Sequence, residues 1–583
     1  MRYSIALLLA GAALGAMLIA LPAARVLGQP LPPHSANNFL FGVINDQGLH
    51  YDDEWDRGVR ATTLELHWRL YEPQEGVYDT VYINQMRETL ATLKKQGWTV
   101  QLSPGYHYVP EWVFRDYPDM QYVNQYGEAY DPPRGSFRVI NGPFNPQARA
   151  LIADYVARIF QDFNPDDFDS VRIGGGVQGE LRYPPPDWNG RHNSYWAFDR
   201  FAQDAAISGI PGSAAGWRPG IDPNPGSVGH DQLIVNPSFE DSHDYYGILG
   251  WAPDNEVSAT LTTDNPGQAD RALRLDLQTA HRIHQYVPVQ PETTYRFAGL
   301  LRAAESRGQA RVYFTQINAE NEIVEGAPLG RLQTNSTDWN ASSGEVTTVP
   351  STRFLKVELT GDAPGTYFFD NLWLLAADAE NNVNREIRTP LAFYDWYVQQ
   401  LTAYQNWQIE LFRDFYEGQL DLVYPGKGVL VNQVTGALTN DLAGDGWSET
   451  SRGLYSGTAY DRHVAGLVQD EKLALYLTGV EDPPAALTDD STSYPGDWSA
   501  ARWLSHLAQT RGMPIWGENS GQDSLSDMQL AAQRMHDNDF IGLMWAFESE
   551  LYSDDYAHID DYESIIILYN DPQRAFLPLL RER

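Results

Sequence analysis

The chain of 583 residues contains no cysteine. That excludes disulfides, thiolate catalysis and cysteine-ligated metals, and it removes the lipid-attachment cysteine of a bacterial lipoprotein, so stability must come from packing. Positive charge is scarce: 41 Lys and Arg stand against 77 Asp and Glu, a formal net charge of −36. Such a surface repels nucleic acid and anionic lipid, which leaves a neutral ligand as the expected partner. Long apolar runs are missing beyond the N-terminus. There a basic Arg2, an apolar run from Ile5 to Leu21 and the small-residue stretch Ala23-Ala-Arg-Val-Leu-Gly28 follow the order of a secretory leader. The expectation for residues 1–28 is a signal peptide cut near Gly28 and an extracytoplasmic protein. The alternative is an uncleaved anchor, because the run sits near the lower length limit for crossing a bilayer.

No His-x-x-x-His, clustered carboxylate loop or phosphate-cradling motif is found, since Gly174-Gly-Gly176 has neither the lysine nor the spacing of a phosphate loop. No cofactor and no catalytic metal are expected. What the chain has in abundance is aromatic surface, 17 Trp and 33 Tyr. This excludes disorder and supplies flat apolar faces on which sugar rings stack.

Short apolar runs alternate with amphipathic helical patterns, the mark of βα units and a parallel sheet. Strands are predicted at Phe39–Asn45, Thr62–His67, Thr99–Ser103 and Ser170–Ile173, and again at Leu420–Tyr424, Leu473–Leu477, Met513–Trp516 and Ile541–Ala546. One helix starts after Asp79 and stops at Gly97; another starts with the cap and proline Asn145-Pro146. From about Gly209 the pattern breaks into Gly, Pro and Ser, and from Leu233 to about Leu375 it becomes alternating strands without helical period. The predicted fold class is therefore α/β: a (β/α)8 TIM barrel formed by residues 37–222 and 385–583, interrupted after its fourth strand by an all-β sandwich at 230–377.

Active sites of such barrels lie at the carboxyl ends of the strands. Two carboxylates fall there. Glu180 follows strand four in the glycine-rich run Gly174-Gly-Gly-Val-Gln-Gly-Glu180, and Glu518 follows strand seven in Gly517-Glu-Asn519. Cleaving a glycosidic bond requires an acid beside the leaving oxygen and a second carboxylate that activates water or attacks the anomeric carbon. Glu548, Glu550, Glu481 and Asp482 compete for the second role, and a helix cap is the bland reading of Glu518. His67, Trp68, Tyr106, His107, Tyr183 and Trp545 fall at or just after strand ends, where a sugar would be contacted. Asn519 and Arg182 flank the two carboxylates, and Arg182 could instead pair with an acidic neighbour.

Gly179-Glu-Leu-Arg-Tyr-Pro184 resembles the segment that carries the acid of the β-amylases, glycoside hydrolase family 14, and Gly517-Glu-Asn519 is similar to the base segment of their bacterial members. That resemblance implies inverting hydrolysis with Glu180 as general acid and Glu518 as general base. Those enzymes carry an aspartate on a loop after strand three, where this chain reads Pro104-Gly-Tyr-His-Tyr-Val-Pro-Glu-Trp112 without a match, so starch specificity is not implied. The run Leu64-Glu-Leu-His-Trp-Arg-Leu-Tyr-Glu-Pro-Gln-Glu-Gly-Val-Tyr-Asp79 resembles the strand-two signature of the family-42 β-galactosidases, which are retaining. Their usual asparagine before the acid is replaced by Gly179. Asn236-Pro-Ser-Phe-Glu240, Gly250-Trp251, Val289-Gln-Pro-Glu-Thr-Thr-Tyr295 and Gly365-Thr-Tyr-Phe-Phe-Asp-Asn371 resemble the landmarks of jelly-roll carbohydrate-binding modules. That likeness implies a saccharide partner and allows a structural calcium ion at Glu240 and Asp370. A different class of reading is a non-catalytic saccharide-binding protein, in which Glu180→Gln would leave affinity intact.

Overall fold

The computed structural model describes residues 39–570 apart from 133–137, 211–215, 220, 222–232, 241, 244–246, 249, 254–257, 269, 279–281, 319–321, 378–387, 427, 429–451 and 483–497. The expected leader lies outside the described residues, as do most of the two long loops that follow strands four and six. Among the described residues no helix is long and apolar enough to cross a membrane.

Eight parallel strands close into a barrel: β1 (Leu40–Ile44), β2 (Ala61–Glu65), β3 (Thr99–Ser103), β4 (Ser170–Ile173), β5 (Gln419–Tyr424), β6 (Leu473–Leu477), β7 (Ile515–Glu518) and β8 (Gly542–Ala546). β4 pairs directly with β5, Ser170 opposite Gln419, so the sequence inserted between them leaves the ladder unbroken. β8 pairs with β1 from Leu40–Gly542 to Ile44–Ala546 and completes the ring. The predicted strand boundaries agree to within one residue except in two strands. β7 begins at Ile515 because Pro514 has no amide to donate to the ladder, and it extends through Glu518, which pairs with Met544. β2 ends at Glu65, two residues early, because the chain turns into the short helix Trp68–Tyr71.

The helices follow their sequence signals. Asp79 accepts hydrogen bonds from Val81 and Tyr82 at the start of Thr80–Gln96. Asn145 does the same for Pro146–Asp162, which buries Ile152, Tyr155, Val156 and Ile159 against the barrel. Alternation along the strands sends one set of side chains to the helix layer and the other to the barrel axis. The inward apolar set includes Ile44, Ala61, Val423, Ala474, Tyr476, Trp516, Met544 and Ala546.

Between β4 and β5 stands the sandwich. One five-stranded antiparallel sheet runs in the order Gly330–Thr334, Ala310–Ile317, Phe354–Gly361, Ile283–Pro288, Ala252–Pro253; the other runs Asn340–Thr347, Thr294–Ala303, Gly365–Ala376, Ala272–Leu277, Ser258–Thr262. Their facing sides bury a separate core that includes Leu275, Phe297, Leu301, Val312, Phe314, Val357 and Phe369. Alternation is clearest in Thr294–Ala303, where every second residue is buried.

The seam between the first and last strands is latched by a buried carboxylate. Glu548, just after β8, accepts the backbone amides of Gln47, Gly48, Leu49 and His50 at 2.5–3.1 Å, and its Oε1 also meets His50 Nδ1 at 2.8 Å. With both oxygens engaged, Glu548 is an anchor for the loop after β1 and is not available as a base.

Candidate active site

Glu180 leaves β4 through the glycine-rich run and a single 3-10 turn, Val177–Gly179. The second half of the chain then fixes it: the Leu181 amide donates to the Val423 carbonyl of β5 at 2.8 Å, and the Tyr183 amide to Ser456 at 2.9 Å. Glu180 is 7% exposed. Thr478, one residue past β6, donates its hydroxyl to Oε1, and Arg182 donates to Oε2 at 3.1 Å. Arg182 therefore holds the candidate acid.

Glu518 is 8% exposed and ends β7 pointing inward. Its Oε2 receives two donors, the Arg172 guanidinium of β4 at 2.6 Å and the Tyr476 hydroxyl of β6 at 2.6 Å. The guanidinium also lies 4.4 Å over the Tyr476 ring. Among the described residues no donor reaches Oε1. Burial raises the pKa of Glu518, Arg172 and the Tyr476 hydrogen bond pull it back, and the charge of Glu180 adds to the rise. The segment after β6 touches both glutamates: Thr478 binds Glu180, and the Val480 amide donates to the Glu518 carbonyl at 2.9 Å. Glu518 caps no helix, since the next one, Leu525–Asp537, is capped by Ser524 in a capping box with Asp527.

A second cluster, built on Glu65 at the end of β2, was not anticipated from sequence. Ser103 and Tyr108 donate to its two oxygens at 3.3 and 3.1 Å, while His67 and His107 approach at 3.6 and 3.9 Å. Burial alone would raise its pKa, but the neighbouring His67, His107 and Arg172 bring it down to about 2. Burial lowers His107 to about 4 against the pull of Glu65. An ionised Glu65 beside polar imidazoles offers acceptors and donors to sugar hydroxyls. The signal was present in the strand parity, because Glu65, Arg172 and Tyr476 all occupy inward positions.

His107 also explains the missing asparagine. Gly179 has φ +78°, and a Cβ there would come within 3.0 Å of the imidazole. Gly179→Asn is therefore expected to displace either His107 or Glu180 and to lower kcat/KM by about 10²-fold, the cost of a misplaced catalytic group, with little change in melting temperature. Steady-state kinetics beside a thermal melt checks this.

Other sequence candidates lie in the packing. Trp68 is buried, stacks on Tyr155 and donates its indole N–H to Glu72 at 2.9 Å. Trp545 points to the helix layer against Tyr562, because its neighbours Met544 and Ala546 take the inward positions. Tyr183 stacks on Tyr397 at 4.1 Å. Tyr106 is buried, its hydroxyl engaged by Gln408 and the Gly174 amide. Asn519 spends its amide on Asp523 and on both backbone groups of Ala546. His67, partly exposed, stacks on Tyr108 at 3.8 Å. Glu481 accepts from the Ser520 amide and hydroxyl at 2.7 and 2.5 Å, and Glu550 from the Gln522 amide. Glu240 and Asp370 grip one loop of the sandwich, Glu240 through the amides of Asp270 and Arg271 and Asp370 through that of Gln268. Among the described residues no group of three His, Cys, Asp or Glu gathers as a metal site.

A closed parallel barrel that carries two buried glutamates at the carboxyl ends of its strands presents the pair of groups that glycosidic bond cleavage requires. In keeping with this, the model of the glycoside hydrolase family 42 β-galactosidase domain matches residues 56–162. No curated protein sequence matches the chain. Among solved structures, the catalytic domain of a β-amylase from Paenibacillus polymyxa is similar, with 13% identity, 92% of this chain and 100% of that one covered, and a TM-score of 0.48. The CBM22-1 xylan-binding domain from Paenibacillus barcinonensis Xyn10C is similar over 26% of this chain and 99% of its own, with 16% identity and a TM-score of 0.22. A CBM61 domain in complex with β-1,4-galactotriose is similar over 25% of this chain and 99% of its own, with 16% identity and a TM-score of 0.20.

Proposed function

We propose that this chain hydrolyses O-glycosidic bonds of a neutral oligo- or polysaccharide outside the cytoplasm, with Glu180 as the general acid and Glu518 as the second carboxylate. The observation that carries the reading is the pair itself: two buried glutamates, one following strand four and one ending strand seven of one barrel, with Glu180 held by Thr478 and Arg182 and Glu518 by Arg172 of β4 and Tyr476 of β6. In the inverting form, Glu180 gives its proton to the leaving oxygen while Glu518 takes a proton from the water that attacks the anomeric carbon. The sandwich would hold the same saccharide near the barrel.

The retaining form has its own support. Arg172 and Tyr476 both bind Oε2 of Glu518 and leave Oε1 for attack. As Oε1 bonds to the anomeric carbon and the leaving oxygen takes the proton of Glu180, Oε2 becomes the ester carbonyl, still bound by the same two donors. Water, deprotonated by Glu180, then releases the sugar. The family-42 match over residues 56–162 supports this form as well. A panel of chromogenic glycosides and natural oligosaccharides identifies the sugar, and proton NMR of the first-formed anomer separates the two forms. Saccharide binding with no hydrolysis across the whole panel would leave only the non-catalytic reading.

A further inference from the structure

We propose that Gln408, on the helix that resumes the barrel after the sandwich, is a positioning residue for Glu180. The helix Arg388–Arg413 braces both flanks of the acid-bearing run. On the upstream side, Gln408 accepts the Tyr106 hydroxyl through Oε1 and donates through Nε2 to the Gly174 carbonyl at 3.3 Å, while the Gly174 amide donates back to the Tyr106 hydroxyl at 3.3 Å. Gly174 in turn lies directly against the acid: a Cβ there would sit 2.1 Å from the Gly179 carbonyl oxygen and 3.0 Å from the carbonyl carbon of Glu180. On the downstream side, Tyr397 of the same helix stacks on Tyr183, and the Tyr183 hydroxyl donates to the Tyr397 carbonyl at 3.1 Å.

Gln408 and Tyr106 are buried. A polar triangle of side chain, hydroxyl and backbone in an apolar layer has one satisfied geometry, because any shift of Gly174 strands a buried donor or acceptor. The 3-10 turn between Gly174 and Glu180 is closed by its own hydrogen bonds, Gly176 amide to Glu180 carbonyl at 2.8 Å and Gly179 amide to Gly176 carbonyl at 3.0 Å. It therefore passes a displacement on to the carboxylate without absorbing it. Removing the Gln408 amide frees the upstream anchor while leaving Thr478 and Arg182 on the carboxylate.

The inference rests on Glu180 being the general acid, and the test keeps the two claims apart. A misplaced acid slows departure of a poor leaving group and matters little for a good one, whereas general loosening of the fold slows both alike. The measurement is kcat/KM for phenyl and 2,4-dinitrophenyl glycosides of the accepted sugar, with Gln408→Met, Tyr106→Phe and Glu180→Gln in the full chain. Both brace variants are expected to lose about 10- to 100-fold on the phenyl glycoside and less than about twofold on the dinitrophenyl one, with folding retained and the melting temperature lowered by a few degrees. If Gln408→Met does not fold, Tyr106→Phe carries the test, since it removes one oxygen and keeps the ring. Equal losses on both glycosides, or none, overturn the positioning role. Should Glu180→Gln itself show no dependence on the leaving group, the acid assignment fails, and the positioning role built on it falls with it.

Discussion

Glu518→Gln is expected to lower kcat by about 10³-fold or more on every glycoside accepted, irrespective of the leaving group. The amide neither takes a proton from water nor forms a glycosyl ester, so both forms of the mechanism lose their second carboxylate. Folding should survive, because Oε1 of the new amide can still accept from Arg172 and Tyr476. Glu180→Gln is expected to lose a similar factor on phenyl glycosides only. The two variants thus give different patterns across one substrate series, and normal turnover by Glu518→Gln would remove that residue from the chemistry.

Arg172→Leu is expected to lower kcat/KM by about 10²-fold near neutral pH, together with a shifted pH profile. Burial already raises Glu518, and Arg172 is the strongest influence holding it down. The working form of Glu518 is the ionised one, so activity falls as pH drops through its pKa. Removing the cation raises that pKa and moves the acidic limb to higher pH. Activity should recover in part on going from pH 6 to 9, which a structural defect would not produce. Breaking a buried pair also costs about 3–5 kcal/mol of stability, so the profile is to be taken well below the variant's melting temperature. Arg172→Lys keeps the charge but loses the fork, and is expected to keep the limb while losing rate. An unchanged acidic limb in Arg172→Leu would contradict the charge argument.

Much of the barrel was legible because period-2 and period-3.6 patterns are local properties of the chain. Strands such as Leu473–Leu477 are buried throughout and read as continuous apolar runs. The two glutamates were legible from the motifs around them. Less legible was the direction of each side chain. Trp545 sits at the end of a strand, but one residue of parity turns it to the helices, and the same parity brings Arg172 and Tyr476 to the axis, where neither belongs to any recognisable motif. Asn519 looked like a sugar contact because it follows Glu518; its donors and acceptors are taken by the β8 backbone, a pairing 27 residues away that no local pattern announces. Glu65 was hidden for a related reason. A carboxylate at a strand end is ordinary, and only the approach of His67, His107 and Tyr108 from neighbouring loops makes it a cluster.

The dependence of Glu180 on Thr478, Val423 and Ser456 has a consequence for biogenesis. A ribosome that has produced only the first four barrel strands has made Glu180 without the groups that orient it, and a whole β-sandwich is synthesised before they appear. Chemical competence therefore arrives late, when β6 docks. Two separately expressed pieces, severed within the sandwich, should each be inert and should regain turnover on mixing if their strand edges find one another.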